Sequence, residues 1–357
     1  MTQALALVRL NEILHLGRKV HASDIHIRPG TSPALRVEGS LHLQPMPAAT
    51  LDEIEEMVQA LLSPSAREHL GRHGDVTVTH RSNDDAGCVR VHAYKAREHT
   101  ALALRLLPGT VPKLIELALP PIVGDLTGRR RDIVLFTEPT GSDKTTALAA
   151  FADRINRDLA KHIITLEDPI EYEHTPVRSM ITQRSVGEDT PSFASAIHSA
   201  LRSDPDVLVV GEMRDAATMH AALTAAETGH LVCTTLHTGD ACQTVERIVN
   251  AFTGDMQAQI RLQLAQTLLA VVCMRLVPRI QGGRTYATEV LVANAAVRNV
   301  IRDGKTHQLH NIMATSRHAG MRTLQTHLAE LVGAGEIAPA QAALLGGDNP
   351  HDAGRAN

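Results

Sequence analysis

Four short apolar runs constrain this chain more than any other feature: Ile133 to Phe136, Ile163 to Leu166, Val207 to Val210 and Leu231 to Thr235. Each is apolar at successive positions, and helical stretches separate them. A strand that is apolar on both faces must be covered on both faces, so the pattern predicts a largely parallel sheet flanked by helices. Such an α/β core binds its ligands at the carboxyl edge of the strands.

The first run feeds Thr137-Glu138-Pro139-Thr140-Gly141-Ser142-Asp143-Lys144-Thr145-Thr146 and then an Ala/Leu-rich helical stretch. Strand, tight turn and helix start would put backbone N–H groups and the helix dipole around a phosphate chain. Lys144 would meet the β- and γ-phosphates and the Thr145 hydroxyl would hold Mg²⁺. Glu138 and Asp143 stand where G-x-x-x-x-G-K-[ST] has its glycines. A carboxylate on Asp143 about 4 Å from a phosphate oxygen would repel it by roughly 4 kcal/mol at an effective dielectric of about 20. On this stretch alone, a nucleotide site and a plain Lys-Thr helix start both stand.

Composition narrows the classes. Net charge is −4, from 35 basic and 39 acidic residues, and three Tyr, four Phe and no Trp leave little for base stacking, which disfavours a nucleic-acid partner. The four cysteines form no C-x-x-C pair and the 20 histidines no H-E-x-x-H, so neither disulfides nor a structural metal is expected. The N-terminus lacks a basic segment followed by an apolar stretch, and no apolar run approaches the roughly 18 residues of a membrane span. A soluble, cytoplasmic protein is expected.

In chain order, residues 4–17 place Leu7, Leu10 and Leu14 on one helical face, with Gly17 as a stop. Strands are expected at Ala22 to Ile27, Leu35 to Gly39, Val76 to Val78, Val89 to Val91 and Leu102 to Leu107, with a helix over 51–71. Residues 1–107 thus read as a smaller α+β domain, and the Pro- and Gly-bearing stretch 108–113 as a linker to a second domain, 114–345. Thr190-Pro191 would start a helix with Phe193, Ile197 and Leu201 inward. Beyond residue 255 the chain reads as helical, with Leu324, Leu328 and Leu331 on one face. The polar, Gly-rich stretch 346–357 reads as a disordered tail.

Two runs end in acids. Leu166-Glu167-Asp168-Pro169-Ile170-Glu171 and Asp206-Val207-Leu208-Val209-Val210-Gly211-Glu212 would deliver carboxylates at the edge that holds the loop, so Lys144, Glu171 and Glu212 would form one site, with Glu212 polarising water or holding Mg²⁺ through water. Taken alone, such clusters are ordinarily solvated. In order, Thr165 to Glu171, Ser203 to Asp215 and Thr224 to Thr238 resemble the Asp box, Walker B and His box of the secretion-type ATPases. Ala22 to Ile27 with Arg36-Val37-Glu38-Gly39 is similar to that superfamily's PAS-like N-terminal domain. Ala296-Val297-Arg298-Asn299-Val300-Ile301 resembles the signature of the type IV pilus retraction branch, the PilT family.

The resemblance covers about residues 5–335. It implies a RecA-like P-loop ATPase core with a PAS-like α+β domain, assembled as a homohexamer that hydrolyses ATP with Mg²⁺ between subunits. That motor would drive pilus retraction and twitching motility against an inner-membrane pilus platform protein, from the cytoplasmic face and without an integral membrane segment. Glu171 matches the Asp-box catalytic glutamate and Glu212 the Walker B glutamate, a Mg²⁺ ligand with Thr145. Pro139, Thr140, Gly141, Ser142, Lys144, Thr145 and Thr146 match the nucleotide loop, His230 and His237 the His box, and Arg97 and Arg105 fall near arginines that reach the phosphates. Gly211 takes the place of a Walker B aspartate, as this branch often has it. The family's loop glycines are replaced by Glu138 and Asp143. That substitution keeps a second expectation open, a nucleotide-impaired subunit that regulates or joins an active paralogous motor. A type II secretion or pilus assembly ATPase is a third, disfavoured by the absence of clustered zinc-binding cysteines.

Overall fold

The computed structural model describes residues 2–37, 39–81, 88–97, 99–107, 109–139 and 144–346. Glu38, Pro108, Thr140, Gly141, Ser142, Asp143 and residues 347–357, all named above, lie outside the described residues. The chain divides into two units. The first is Met1–Thr110 with Pro169–Glu173, and the second is Val111–Asp168 with His174–Asn357. The return of Pro169–Glu173 to the first unit corrects the expectation of one unbroken break near residue 108. Polar contacts to β-strand residues, described below, hold that segment.

In the first unit, helix α1 (Thr2–Lys19) precedes strands β1 (Asp24–Ile27), β2 (Ala34–Val37) and β3 (Ser40–Leu43), then helices α2 (Leu51–Leu61) and α3 (Pro64–His73), then β4 (Asp75–Arg81), β5 (Cys88–Ala96) and β6 (His99–Leu106). The strands pair in the order β3-β2-β1-β6-β5-β4, and every pairing is antiparallel. Leu10 and Leu14 of α1 are buried with Ile25, Leu35, Leu102 and Leu104, while Leu7 stays exposed. The single helix expected over 51–71 is two. Thr50 caps α2 in a capping box with Glu53, and Ser63 followed by Pro64 starts α3, because proline suits a first helical turn and not an interior.

The second unit runs α4 (Pro121–Leu126), β7 (Asp132–Thr137), α5 (Lys144–Asp158), β8 (His162–Glu167), β9 (Met180–Ser185), α6 (Phe193–Ala200), β10 (Val207–Val210), α7 (Ala216–Glu227) and β11 (Leu231–Leu236). It continues through α8 (Ala241–Asn250), α9 (Met256–Thr267), β12 (Leu268–Pro278), β13 (Arg284–Val292), α10 (Ala295–Arg302), α11 (Leu309–Thr315), α12 (Leu324–Gly333) and α13 (Pro339–Gly346). The sheet order is β13-β12-β7-β11-β10-β8-β9, parallel except for the β12–β13 pair. Successive residues of β7 face opposite cores. Ile133 and Leu135 pack with α7 and α8 residues such as Leu223 and Val245, and Val134 and Phe136 with Ala147 and Phe151 of α5. The Phe136 and Phe151 rings meet edge to face, with centroids 5.5 Å apart. Burial on both faces is why the run shows no polar alternation.

Three sequence expectations are corrected here. The region after residue 255 is not all helical: β12 and β13 form an antiparallel hairpin, with Leu268–Val277 largely buried and the sequence β-branched at Val271, Val272, Val277, Thr285, Thr288 and Val290. A doubly buried strand has no period-2 signal to set it apart from a buried helix. Ser192, not Thr190, caps α6, accepting from Ser195 N. Strands β3 and β9 also lie in stretches not read as strands. Gly346 closes α13.

Candidate active site

The carboxyl edge of the parallel sheet gathers the charged side chains. β7 is followed directly by Glu138, whose N–H donates to Leu236 O of β11 at 3.4 Å, and α5 begins with Lys144. Neither side chain reaches bulk solvent, Glu138 being 3% and Lys144 8% exposed. Lys144 Nζ lies 3.0 Å from Glu138 Oε1 and 3.1 Å from His237 Nδ1. An ammonium only donates, so Nδ1 accepts and the proton of the neutral ring sits on Nε2. That nitrogen lies 3.6 Å from Glu212 Oε2, and Glu212 Oε1 lies 2.6 Å from Arg214 Nη2. Glu138, Lys144, His237, Glu212 and Arg214 thus form one row of alternating partners over the ends of the neighbouring strands β7, β11 and β10.

Backbone contacts fix this row. Gly211 N donates to Leu166 O at 2.7 Å, and a Cβ there would stand 3.2 Å from that oxygen and 3.5 Å from Glu167 Cα. A side chain at that turn would crowd the Leu166 carbonyl and require the backbone to give by a few tenths of an ångström, which gives the glycine a packing reason. Thr235 Oγ1 donates to Gly211 O at 2.6 Å and Met213 N to Thr235 O at 3.1 Å, tying the turn that carries Glu212 to the strand that carries His237. Thr145 is half-buried and Thr146 buried in the first turn of α5, and Pro139 is exposed.

Glu171, His230 and Arg105 have partners within their own units. Glu171 belongs to Pro169–Glu173 in the first unit, with Oε1 2.7 Å from Arg90 Nη2 of β5, while Thr79 Oγ1 of β4 donates to Ile170 O at 2.9 Å. β8 ends at Glu167, just before Asp168-Pro169, and a proline has no N–H to donate to a continuing ladder. His230 sits at the amino end of β11, about 20 Å from His237 at strand spacing. Its Nδ1 donates to Ala225 O at 3.0 Å, in the last turn of α7. Arg97 is exposed in the β5–β6 turn with φ 48°. Arg105 Nε lies 3.0 Å from Asp24 Oδ1; burial opposes ionisation of that carboxyl, but hydrogen bonds from Ser23 and Arg105 outweigh it and hold Asp24 below its usual range.

The retraction signature forms α10, capped by Asn294, whose side chain accepts from Val297 N at 2.9 Å. Val297 and Ile301 are fully buried, Val300 is partly buried, and Ala296 and Asn299 are exposed. Arg298 Nη1 donates to Ala265 O at 2.6 Å and Gln266 O at 2.5 Å, placing its charge at the carboxyl end of α9. Asn299 Oδ1 accepts from Arg302 Nη2 at 2.5 Å. Arg298→Ala should therefore lower stability by about 1 to 3 kcal/mol in urea unfolding. No change in the midpoint would show that this grip contributes nothing.

A largely parallel sheet, a lysine at the helix start after one of its inner strands, and an acid and a histidine on neighbouring strand ends define a RecA-like P-loop ATPase fold. Residues 7–342 match the family described as type II/IV secretion system protein, and the chain belongs to that family, in its PilT-like branch. The twitching motility protein of Neisseria gonorrhoeae is 41% identical over 309 residues, spanning 86% of this chain and 82% of its own. The type IV pilus retraction ATPase PilT of Pseudomonas aeruginosa is 36% identical over 330 residues, or 92% of this chain and 95% of its own. A crystal structure of the pilus retraction motor PilT with bound ADP superimposes with a TM-score of 0.87 at 40% identity, over 94% of this chain and 96% of the other.

The donor set fits a magnesium nucleotide in part. Lys144, Thr145 and Glu212 are of the types that hold polyphosphate and Mg²⁺, and they gather at one edge. Glu138 does not fit, because its carboxylate already holds the lysine. Sequence reasoning saw the residue but not the contact. The signal was there, an acid six positions before Lys144 in place of a glycine.

Proposed function

We propose that this protein is a hexameric, ATP-driven motor of type IV pilus retraction that works at the inner face of the inner membrane on a pilus platform protein. The observation that carries the reading is the row Lys144, His237 and Glu212 at the sheet edge of a chain so similar to a PilT structure with bound ADP. Mg²⁺-ATP, when bound, supplies the phosphoanhydride whose hydrolysis drives the motor. Lys144 and the amino end of α5 bind its phosphates, with Pro139, Thr140, Gly141, Ser142 and Thr146 in the same loop, and Thr145 and Glu212 hold Mg²⁺. Glu212, with His237 and Arg214 fixing its two oxygens, orients the attacking water. Glu171, Arg97, Arg105 and His230 act where a neighbouring subunit completes the site.

The buried Glu138–Lys144 pair favours one second reading, a subunit that assembles with an active paralogous motor and turns over little itself. ATP turnover by the purified chain decides between them. The motor reading expects turnover that Lys144→Ala abolishes, whereas weak or absent nucleotide binding with no turnover, by a chain that still assembles, supports the second reading.

A further inference from the structure

The loop lysine is the residue on which a nucleotide's β- and γ-phosphates depend. Here it is enclosed by the chain itself, with Glu138 Oε1 at 3.0 Å on one side and His237 Nδ1 at 3.1 Å on the other. Glu138 extends from the end of β7, in the place where the phosphate-loop pattern begins with glycine. Glu138 and Lys144 are both buried while His237 is exposed, so water does little to screen the attraction between the carboxylate and the ammonium. A phosphate approaching Lys144 must take over the lysine from a carboxylate.

We infer that Glu138 is a resident anion on Lys144 that competes with the nucleotide's phosphates and sets which ligands the loop accepts; this rests on the nucleotide-site reading above. Exchanging a carboxylate for a phosphate oxygen on one ammonium gains little, since both are charge-assisted acceptors of the same kind. A ligand with a single phosphate, such as AMP or inorganic phosphate, therefore obtains almost nothing from Lys144. A magnesium di- or triphosphate has further contacts to offer, through Thr145, Glu212 and the amino end of α5, and only such a ligand can displace Glu138. The site discriminates for polyphosphate by holding its own anion in place.

The competition also reaches the rest of the row. His237 Nδ1 accepts from Lys144, and its Nε2 faces Glu212 Oε2. When Lys144 turns from Glu138 to a phosphate, the imidazole between the lysine and the carboxylate registers the change. Glu138 is thus a specificity-determining residue at one end of a row whose other end is the acid proposed to orient water.

The test is a double-mutant cycle on binding of Mg²⁺-ADP and a non-hydrolysable Mg²⁺-ATP analogue, measured by calorimetry on the full chain with no turnover required. Glu138→Gln keeps the shape and removes the charge. It should tighten both ligands about tenfold or more, and it should bring AMP into measurable range. In the Lys144→Ala background the same change should give little gain, because the competition then has no object. An equal gain in that background would mean that Glu138 repels phosphates generally, and the inference would fall. Unchanged or weaker binding by a Glu138→Gln variant with an unaltered circular dichroism spectrum would also overturn it. Absence of nucleotide binding in the wild type, Glu138→Gln and a Glu138→Gly, Asp143→Gly revertant alike would instead remove the nucleotide reading itself. Glu138→Ala provides the same comparison should the Gln variant fail to fold.

Discussion

Glu212→Gln is expected to lower ATP turnover by about 10²- to 10⁴-fold while leaving nucleotide binding within a few-fold of the wild type. The side chain keeps its volume and loses its charge, which Arg214 holds at 2.6 Å while His237 Nε2 stands 3.6 Å from the other oxygen. Water activation in phosphoryl transfer is a matter of position and electrostatics, so a neutral amide in that place orients a water poorly. Steady-state turnover beside calorimetric binding checks this. Unimpaired turnover in the variant would place the water-orienting acid elsewhere, and Glu171 would then be the candidate.

The second large effect is on stability in acid. His327 of α12 is buried, and its Nδ1 accepts from Thr288 N at 2.8 Å, which fixes the ring as an acceptor toward β13. Burial, and then the charge of Arg322, lowers its pKa to about 4. The unfolded chain takes up this proton near pH 6.5 and the folded chain only near pH 4, so between these values the unfolded state binds more protons. The stability in question is fully present above about pH 6.5 and is lost as pH falls toward 4. The loss amounts to about 3 kcal/mol at the lower end. His327→Asn keeps an acceptor near the Nδ1 position and cannot titrate there. Urea unfolding of both proteins from pH 7.5 to 4 should show a steeper decline for the wild type, and parallel declines would exclude His327 as the cause.

How legible these features were in the sequence depends on what kind of signal each one leaves. The parallel core could be read because Ile133–Phe136 and Val207–Val210 are buried on both faces, and uninterrupted apolar runs follow from that. The same property hid β12, since Leu268–Met274 has no alternation and follows directly on α9. Lys144, Glu212 and His237 were visible as single residues at strand ends. The partnership of Glu138 with Lys144 was not, because it depends on two side chains turning toward each other inside a closed edge. The partners of Glu171 were hidden for a similar reason: they lie far off in sequence, Arg90 pairing with its carboxylate and Thr79 donating to Ile170 O, some 80 or more positions earlier. Arg298 shows the converse case, a residue legible as a signature whose physical work, gripping the end of α9, no spacing rule reports.

The hairpin that closes the sheet also has a mechanical meaning. Arg298 clasps the end of α9, α9 runs into β12 without a break, and β12 is zipped to β7 over register pairs from Leu268↔Ile133 to Cys273↔Thr137. β7 ends one residue before Glu138. Beyond the Arg298 clasp, a pull on the signature helix passes into a ladder of paired backbone loaded in shear along the strands. The signature helix is therefore tied, through α9 and the β12–β7 pairing, to the strand that leads into Glu138.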